Sequence, residues 1–180
     1  MKVVATNIGE RKTVVWKNKT VETGIYKFPT LEPIVLGEKD VVGDAVIDRK
    51  HHGGTEQAVY AYSASHYNYF KELHPDLDWQ YGMFGENLTL EVLEETELTV
   101  GSTYSLGECI VEVSKPRQPC YKLGIRFGTQ KIVKQFWNST KSGVYFKVLQ
   151  GGRVQVGDQL VLIEKKFSTP TIAEVYDSKK

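Results

Sequence analysis

The sequence predicts a single mainly β domain, built as a barrel or sandwich with a few short peripheral α-helices. Short runs rich in β-branched and aromatic residues recur along the chain, and most are bounded by Gly, Asn or Asp. No repeat of roughly 20 to 50 residues and no low-complexity linker interrupts them. With 180 residues, of which 41% are hydrophobic, the chain can bury one sizeable core.

Eight runs have the composition of strands: residues 2–6, 13–16, 20–23, 88–91, 102–106, 108–113, 144–149 and 159–164. In the run 108–113, the apolar side chains of Cys109, Val111 and Val113 alternate with the other three. This period of two is typical of a strand with one buried face. Cys109 is therefore predicted to lie in the core.

Two segments are predicted as helices. Residues 130–138 place their apolar side chains on one stripe, after Thr129 as a possible N-cap. Residues 63–73 begin at Ser63, which can also cap a helix, and end before Pro75. Both helices are expected to lie at the periphery of the β structure.

Composition and charge exclude several classes of protein. Lys and Arg number 23 against 22 Asp and Glu, which argues against a nucleic acid polymer or an anionic membrane as partner. The apolar runs fall short of the roughly 20 residues of a membrane helix, and the start lacks a secretory signal. A cytoplasmic location is therefore expected. The two cysteines are too few for a disulfide framework in a chain of this size. Residues 1–166 are assigned to one domain, and the polar tail 167–180 is expected to fray.

The segment RKHHGGTEQ at residues 49–57 combines cations and imidazoles with consecutive glycines. Adjacent glycines let backbone N–H groups approach an anion closely, which predicts an oxyanion or phosphate pocket. A surface turn with solvated charges is the alternative. No third ligand stands at a spacing diagnostic of zinc. The remaining histidines, His66 and His74, are expected at the surface.

Two further segments have unusual composition. In YGMFGENLT at residues 81–89, glycines flank an aromatic pair, and the amide of Asn87 could read the edge of a heterocycle. A turn entering a strand explains this segment equally well. In SKPRQPCYKL at residues 114–123, two prolines stiffen the chain around Cys120. The neighbouring cations favour its thiolate, the form that binds metals, although a half-buried structural thiol is the alternative.

The usual signatures of P-loop hydrolases, Rossmann dehydrogenases, zinc proteases, α/β-hydrolases and thioredoxins are absent from the sequence. Four motifs in order instead resemble the MOSC-domain family, named after the C-terminal domain of molybdenum cofactor sulfurase, and in particular its YiiM-like stand-alone branch. They are TGIYKFP at 23–29, HHGGTEQAVYAY at 51–62, GMFGENLT at 82–89 and VSKPRQPCYKL at 113–123. GGRVQVGDQL at 151–160 is similar to the closing strand pair of the family.

The resemblance implies a MOSC-like β-barrel that holds the molybdenum cofactor, a molybdenum atom chelated by a pterin dithiolene. Cys120 matches the cysteine that ligates the metal and is the implied catalytic residue, and Asn87 is a candidate contact to pterin or substrate. The phosphate of the pterin is implied to meet the basic and glycine-containing motifs, at Lys27, His52, Gly53, Gly54 and Arg117.

Members of this branch are associated with reduction of N-hydroxylated compounds, notably purine bases, to the corresponding amines. The chain has no cysteine cluster for an iron–sulfur centre, so electrons are expected from a separate protein. Lys115 and Lys122 could steer such a partner if it is acidic, or could be solvated surface residues. Two alternatives remain: a non-catalytic carrier of the cofactor, and a sulfur carrier that forms a persulfide on Cys120.

Overall fold

The computed structural model describes residues 1–47 and 53–180, and within them it contains twelve β-strands and four α-helices. All eight predicted strands overlap observed ones, so the prediction of a mainly β protein is confirmed. The strands are β1 (Val3–Gly9), β2 (Lys12–Trp16), β3 (Lys19–Thr23), β4 (Lys27–Thr30), β5 (Ile34–Leu36), β6 (Val59–Ser63), β7 (Leu88–Leu90), β8 (Thr103–Leu106), β9 (Cys109–Pro116), β10 (Val144–Gln150), β11 (Gly152–Val154) and β12 (Leu160–Glu164).

Eight strands form one sheet in the order β12, β8, β9, β10, β6, β7, β1, β4, and only the pair β6 and β7 is parallel. The expected barrel is not found, because no ladder joins β12 to β4 within the described residues. Pro29 lies in the edge strand β4 and lacks the N–H that a further strand would need. An isolated bridge from Lys2 to Gln159 links the segments before β1 and β12.

The core has two parts that lie on opposite faces of β6. Val59 and Ala61 belong to an aliphatic cluster, which also contains Cys109 as the alternation in β9 predicts. Tyr60 and Tyr62 belong to a mainly aromatic cluster formed with the helices. Every residue of β6 is therefore buried, and this strand connects the sheet to the helical side of the molecule.

The four helices are α1 (Ala64–Leu73), α2 (Tyr121–Arg126), α3 (Lys131–Asn138) and α4 (Ile172–Asp177). The predicted helices are confirmed as α1 and α3. Ser63 is the N-cap residue of α1, as expected, although its hydroxyl makes no capping hydrogen bond, whereas Thr129 is not the N-cap of α3. The Ser63 hydroxyl accepts a hydrogen bond from the Leu93 N–H at 2.9 Å, and the N-cap of α3 is Gln130. No helix among the described residues is long and apolar enough to cross a membrane.

The expectation that the tail frays is wrong, because α4 packs into the structure. Ile172 and Tyr176 are fully buried, and the Tyr176 hydroxyl donates to the Phe136 carbonyl at 3.0 Å. Thr171 and Glu174 form a capping box at the start of the helix. These contacts fix the segment despite its polar composition.

His66 is also placed differently from the expectation of a surface residue. It is buried, and its Nε2 lies 2.9 Å from Oε2 of the buried Glu95. Oε1 of Glu95 accepts a hydrogen bond from the Gly143 N–H at 2.7 Å. The pair therefore joins α1 to the loop before β10, and it does not line the central pocket described below.

Candidate functional site

A pocket of about 700 Å³, including its mouth open to solvent, brings most of the predicted site residues together. We call it the central pocket. It is lined by Thr23, Gly24, Ile25, Lys27, Asp44, Ala45, Val46, Ile47, Gly53, Gln57, Ala58, Tyr60, Gly85, Asn87, Arg117, Cys120, Lys122 and Tyr145. Five of the seven predicted cofactor-binding residues are among them. Gly54 does not line the pocket, and His52 lies outside the described residues.

Arg117 is the most enclosed cation of the described pocket wall, with 5% of its surface exposed. Its guanidinium carbon lies 5.1 Å from the Tyr60 ring centre and 5.4 Å from that of Phe136, so aromatic faces hold the planar group. Burial lowers the pKa of the guanidinium, but the electrostatic attraction to Tyr60 and Tyr145 outweighs it and raises the pKa overall. Its Nη1 atom is buried without a hydrogen-bond partner in the described part of the chain. Because such a donor is costly to leave unpaired, an anion in the pocket would be stabilised there.

Lys27 forms a buried ion pair with Asp44 on the wall of the same pocket. Oδ2 of Asp44 also accepts a hydrogen bond from Asn87 Nδ2 at 2.9 Å, and Oδ1 accepts one from the Gly9 N–H at 2.9 Å. Burial lowers the pKa of Lys27, while the attraction to Asp44 opposes this shift. One carboxylate thus satisfies three donors and balances the charge of the lysine.

Asn87 is held on the pocket wall by the protein itself. Its Nδ2 donates to Asp44 Oδ2 at 2.9 Å and to the Asn7 carbonyl at 3.4 Å. An amide nitrogen has two hydrogens, so both point to protein acceptors. The oxygen Oδ1, 3.5 Å from the Tyr60 nitrogen, is the atom through which Asn87 can still accept a hydrogen bond from a ligand.

The loop before Asn87 is organised by the fully buried carboxylate of Glu86. Oε1 accepts hydrogen bonds from the Tyr67 hydroxyl at 2.5 Å, the Gly82 N–H at 2.8 Å and the Thr89 hydroxyl at 3.0 Å. Oε2 accepts one from the Phe84 N–H at 3.2 Å. Burial raises the pKa of Glu86 in spite of these donors. Its role is to shape the loop, because it does not line the central pocket.

The glycines of two motifs have backbone conformations that favour glycine. Gly53 and Gly54 have φ values of 77° and 81°, in the left-handed region. The N–H of Gly54 donates to the Lys39 carbonyl at 2.9 Å and is therefore used within the protein. Gly82 has φ 86°, and a Cβ there would lie 2.6 Å from the Lys27 carbonyl oxygen. The close approach of this loop to β4 requires a residue without a side chain.

The two cysteines lie in different surroundings, as the sequence predicts. Cys109 is 1% exposed, and burial raises its pKa to about 11. Cys120 is half-buried, precedes α2 as its N-cap residue and lines the central pocket. Cys120 is thus the thiol that a ligand in the pocket can reach.

A second cavity, which we call the outer groove, borders the central pocket at Cys120. It has a volume of about 1030 Å³ including its open mouth. Its lining residues are Gln57, Lys115, Pro116, Gln118, Pro119, Cys120, Tyr121, Lys122, Tyr145 and Lys179. The central pocket and the groove adjoin at the thiol, because four residues line both: Gln57, Cys120, Lys122 and Tyr145.

Sequence reasoning missed two residues of the central pocket that its geometry makes important. Asp44 belongs to none of the four motifs, and a lone Asp near a glycine signals only a turn. Tyr145 lies in a strand of ordinary composition, where an aromatic residue is expected from β propensity alone. Tyr60, in contrast, lies within the motif HHGGTEQAVYAY, which could have identified it.

Comparison with known proteins identifies related chains over most of this sequence. Residues 48–161 match the MOSC domain family. The chain is 37% identical to YflK of Bacillus subtilis (strain 168) over 163 residues, which are 91% of this chain and 73% of YflK. It is 32% identical to YiiM of Escherichia coli (strain K12), over 78% of this chain and 63% of that protein. A protein named reductase from Gibberella moniliformis is 32% identical over 86% of this chain, but that match spans only 28% of its own length.

Solved structures agree with the sequence relatives. The crystal structure of YiiM from Geobacillus stearothermophilus superposes with a TM-score of 0.81 at 33% identity, covering 99% of this chain and 83% of that one. The crystal structure of YiiM from Escherichia coli gives a TM-score of 0.71 at 26% identity, over 98% and 76% of the two chains. The chain therefore belongs to the MOSC domain family and is a YiiM-like member of it.

Proposed function

We propose that this protein is a molybdenum-cofactor-dependent reductase that converts small N-hydroxylated compounds, such as N-hydroxylated bases, to the corresponding amines. The observation that carries the proposal is the presence of Cys120 and the unpaired Nη1 of Arg117 in one pocket. The donor set fits the cofactor, since a thiolate suits the metal and a buried guanidinium suits a phosphate.

Each residue of the central pocket would have a distinct task toward the cofactor. Cys120 would ligate the molybdenum, and Arg117 would bind the phosphate through its unpaired nitrogen. Lys27 can contribute donors to the same phosphate, but Asp44 already balances its charge. The backbone of Gly53 and the oxygen of Asn87 remain as further contacts. The net positive charge offered to an anion therefore comes chiefly from Arg117, with Lys122 nearer the outside.

Reduction of an N–OH group to N–H consumes two electrons and two protons and releases water. The bound cofactor would supply the two-electron exchange. The pocket residues would orient the compound and keep the surrounding charges fixed. Burial raises the pKa of Tyr145, so its phenol keeps its proton at neutral pH and faces Arg117 as a neutral partner.

The test is to purify the protein from cells that make the cofactor and from cells that do not, followed by metal and pterin analysis. Wild-type protein from the first source should contain molybdenum and pterin. Cys120→Ser should fold but lose the molybdenum, whereas Cys109→Ser is the matched control and should keep it. Full molybdenum content in folded Cys120→Ser would overturn the role of Cys120.

Turnover then separates the reductase from the two alternatives. Loaded protein should reduce hydroxylaminopurine when a chemical electron donor is present. A protein that holds cofactor but shows no turnover would be a carrier, and one that holds a persulfide on Cys120 without metal would be a sulfur carrier. Because the sequence has no Rossmann phosphate-binding motif, NADH alone should not drive the reaction, and a separate electron-donor protein should. Turnover with NADH by flavin-free protein would contradict this part of the proposal.

A further inference from the structure

The outer groove is locally positive, although the chain as a whole is almost neutral. Lys115, Lys122 and Lys179 line it, and no Asp or Glu is among its lining residues in the described ranges. The whole sequence has a net charge of only +1. Two lysines of the segment 114–123 and Lys179 therefore form a local positive site, which favours a ligand that carries negative charge.

The groove also offers an aromatic surface next to the thiol. Tyr121 follows Cys120 directly, lines the groove and is 50% exposed. An exposed aromatic ring in a concave site can stack with a purine or pyrimidine. An aromatic ring and a group of cations in one groove are the two features that a nucleotide requires, one for its base and the other for its phosphate.

The outer groove adjoins the thiol to which the proposed reaction assigns the metal. Cys120 is common to both cavities, so a ligand in the groove lies next to the thiol and next to a metal that the thiol would hold. With the cofactor in the central pocket, the groove is a cavity from which a reducible compound can approach the metal at Cys120.

We propose that the outer groove binds the substrate as a nucleotide, with the N-hydroxylated base against Tyr121 and a 5′-phosphate among the lysines. This inference rests on the proposed function, because it names the substrate class of the same site. It predicts that a nucleoside monophosphate binds better than the nucleoside with the same base.

The test uses adenosine 5′-monophosphate and adenosine as non-reducible probes of the cofactor-loaded protein, measured by calorimetry. The monophosphate should bind at least about tenfold more tightly than adenosine, the gain expected from charge-assisted contacts. Lys115→Ala and Lys179→Ala should each weaken binding of the monophosphate severalfold and leave adenosine unchanged. Rising salt should reproduce the same loss. Lys134→Ala, on the exposed side of α3, is the matched control and should change neither affinity.

Several outcomes would overturn the inference. Equal affinity for the two probes would show that the groove does not recognise phosphate. Unchanged affinity in both groove variants would place the binding site elsewhere. If the lysine variants slow reduction by a protein electron donor but leave the affinity for the monophosphate intact, the groove is a protein docking surface instead. Molybdenum and pterin content, measured on the same samples, distinguishes these failures from a failure of the proposed function.

Discussion

Asp44 and Lys27 form an ion pair that is almost closed to solvent, with 3% and 10% of their side chains exposed. The carboxylate also holds the amide of Asn87, so one residue outside the recognised motifs fixes two inside them. Removing one partner of a buried ion pair destabilises the fold strongly, because the other charge is then buried without compensation. Its local consequence is that Arg117, and not Lys27, supplies the uncompensated charge deep in the pocket.

Replacing Asp44 with Asn should lower the free energy of unfolding by about 3 kcal/mol, since it leaves a buried ammonium without its opposing charge. The pKa of Lys27 should fall further, because the attraction that opposes its burial is removed. Urea unfolding measures the first effect, and NMR titration of the lysine side chains measures the second.

The double variant Asp44→Asn with Lys27→Met is the control for this prediction. Removing both charges should recover part of the lost stability, since no unpaired charge remains. A purely additive loss in the double variant, together with an unchanged pKa of Lys27 in Asp44→Asn, would contradict the assigned coupling.

Arg117→Ala should weaken retention of the cofactor by about 1.5 to 3 kcal/mol, the range for hydrogen bonds to charged groups. Lys27→Ala should weaken it less, because its charge is already balanced by Asp44. Pterin content after dialysis measures retention, and His52→Ala completes the set of predicted phosphate contacts. Arg153→Ala removes an exposed arginine paired with Glu108 and should not alter retention. Unchanged content in all three variants at the predicted phosphate contacts would mean that the phosphate lies elsewhere.

The fold was predictable where one face of a strand is buried and the other is not. Alternation identified β9, but β6 was missed because its five residues are all buried and the period of two disappears. β4 was also not predicted; it contains Pro29, a residue that an edge strand tolerates. The tail was judged by its polarity, although Thr171 and Glu174 have the spacing of a capping box, a signal that the sequence does contain.

The candidate site was predictable only where motifs carried it. Cys120 and Arg117 lie in one stiff segment, and their meeting in a pocket follows from the resemblance. The role of Asp44 depends on a contact with Lys27 across 17 residues of sequence, and no local pattern encodes such a contact. For Asn87 the motif was recognised, but the motif does not reveal that both amide hydrogens of this residue are bonded to protein acceptors.

Thiol reactivity should separate the two cysteines without any cofactor. At pH 8, a disulfide reagent should modify Cys120 in the folded protein, and Cys109 only after unfolding, because Cys109 is buried with a pKa raised to about 11. Cys109→Ser should also cost about 1 to 3 kcal/mol of stability through a buried polar substitution. Rapid modification of folded Cys120→Ser would show that Cys109 is accessible.

Glu86 should make the stability of the fold depend on pH with a defined sign. Burial raises its pKa above the ordinary value of 4.5, so the folded state holds the proton more tightly than the unfolded state. Its contribution to stability is therefore fully present below about pH 4.5 and is lost as the pH rises through the folded pKa. The unfolding free energy of the wild type minus that of Glu86→Gln should decrease between pH 4 and pH 8.

Glu108 is the control of opposite sign, because its hydrogen bonds with Arg153 lower its pKa, and its contribution should instead be lost as the pH falls. A difference for Glu86→Gln that stays constant or increases with pH would mean that the four hydrogen-bond donors outweigh burial in setting the charge of this carboxyl group.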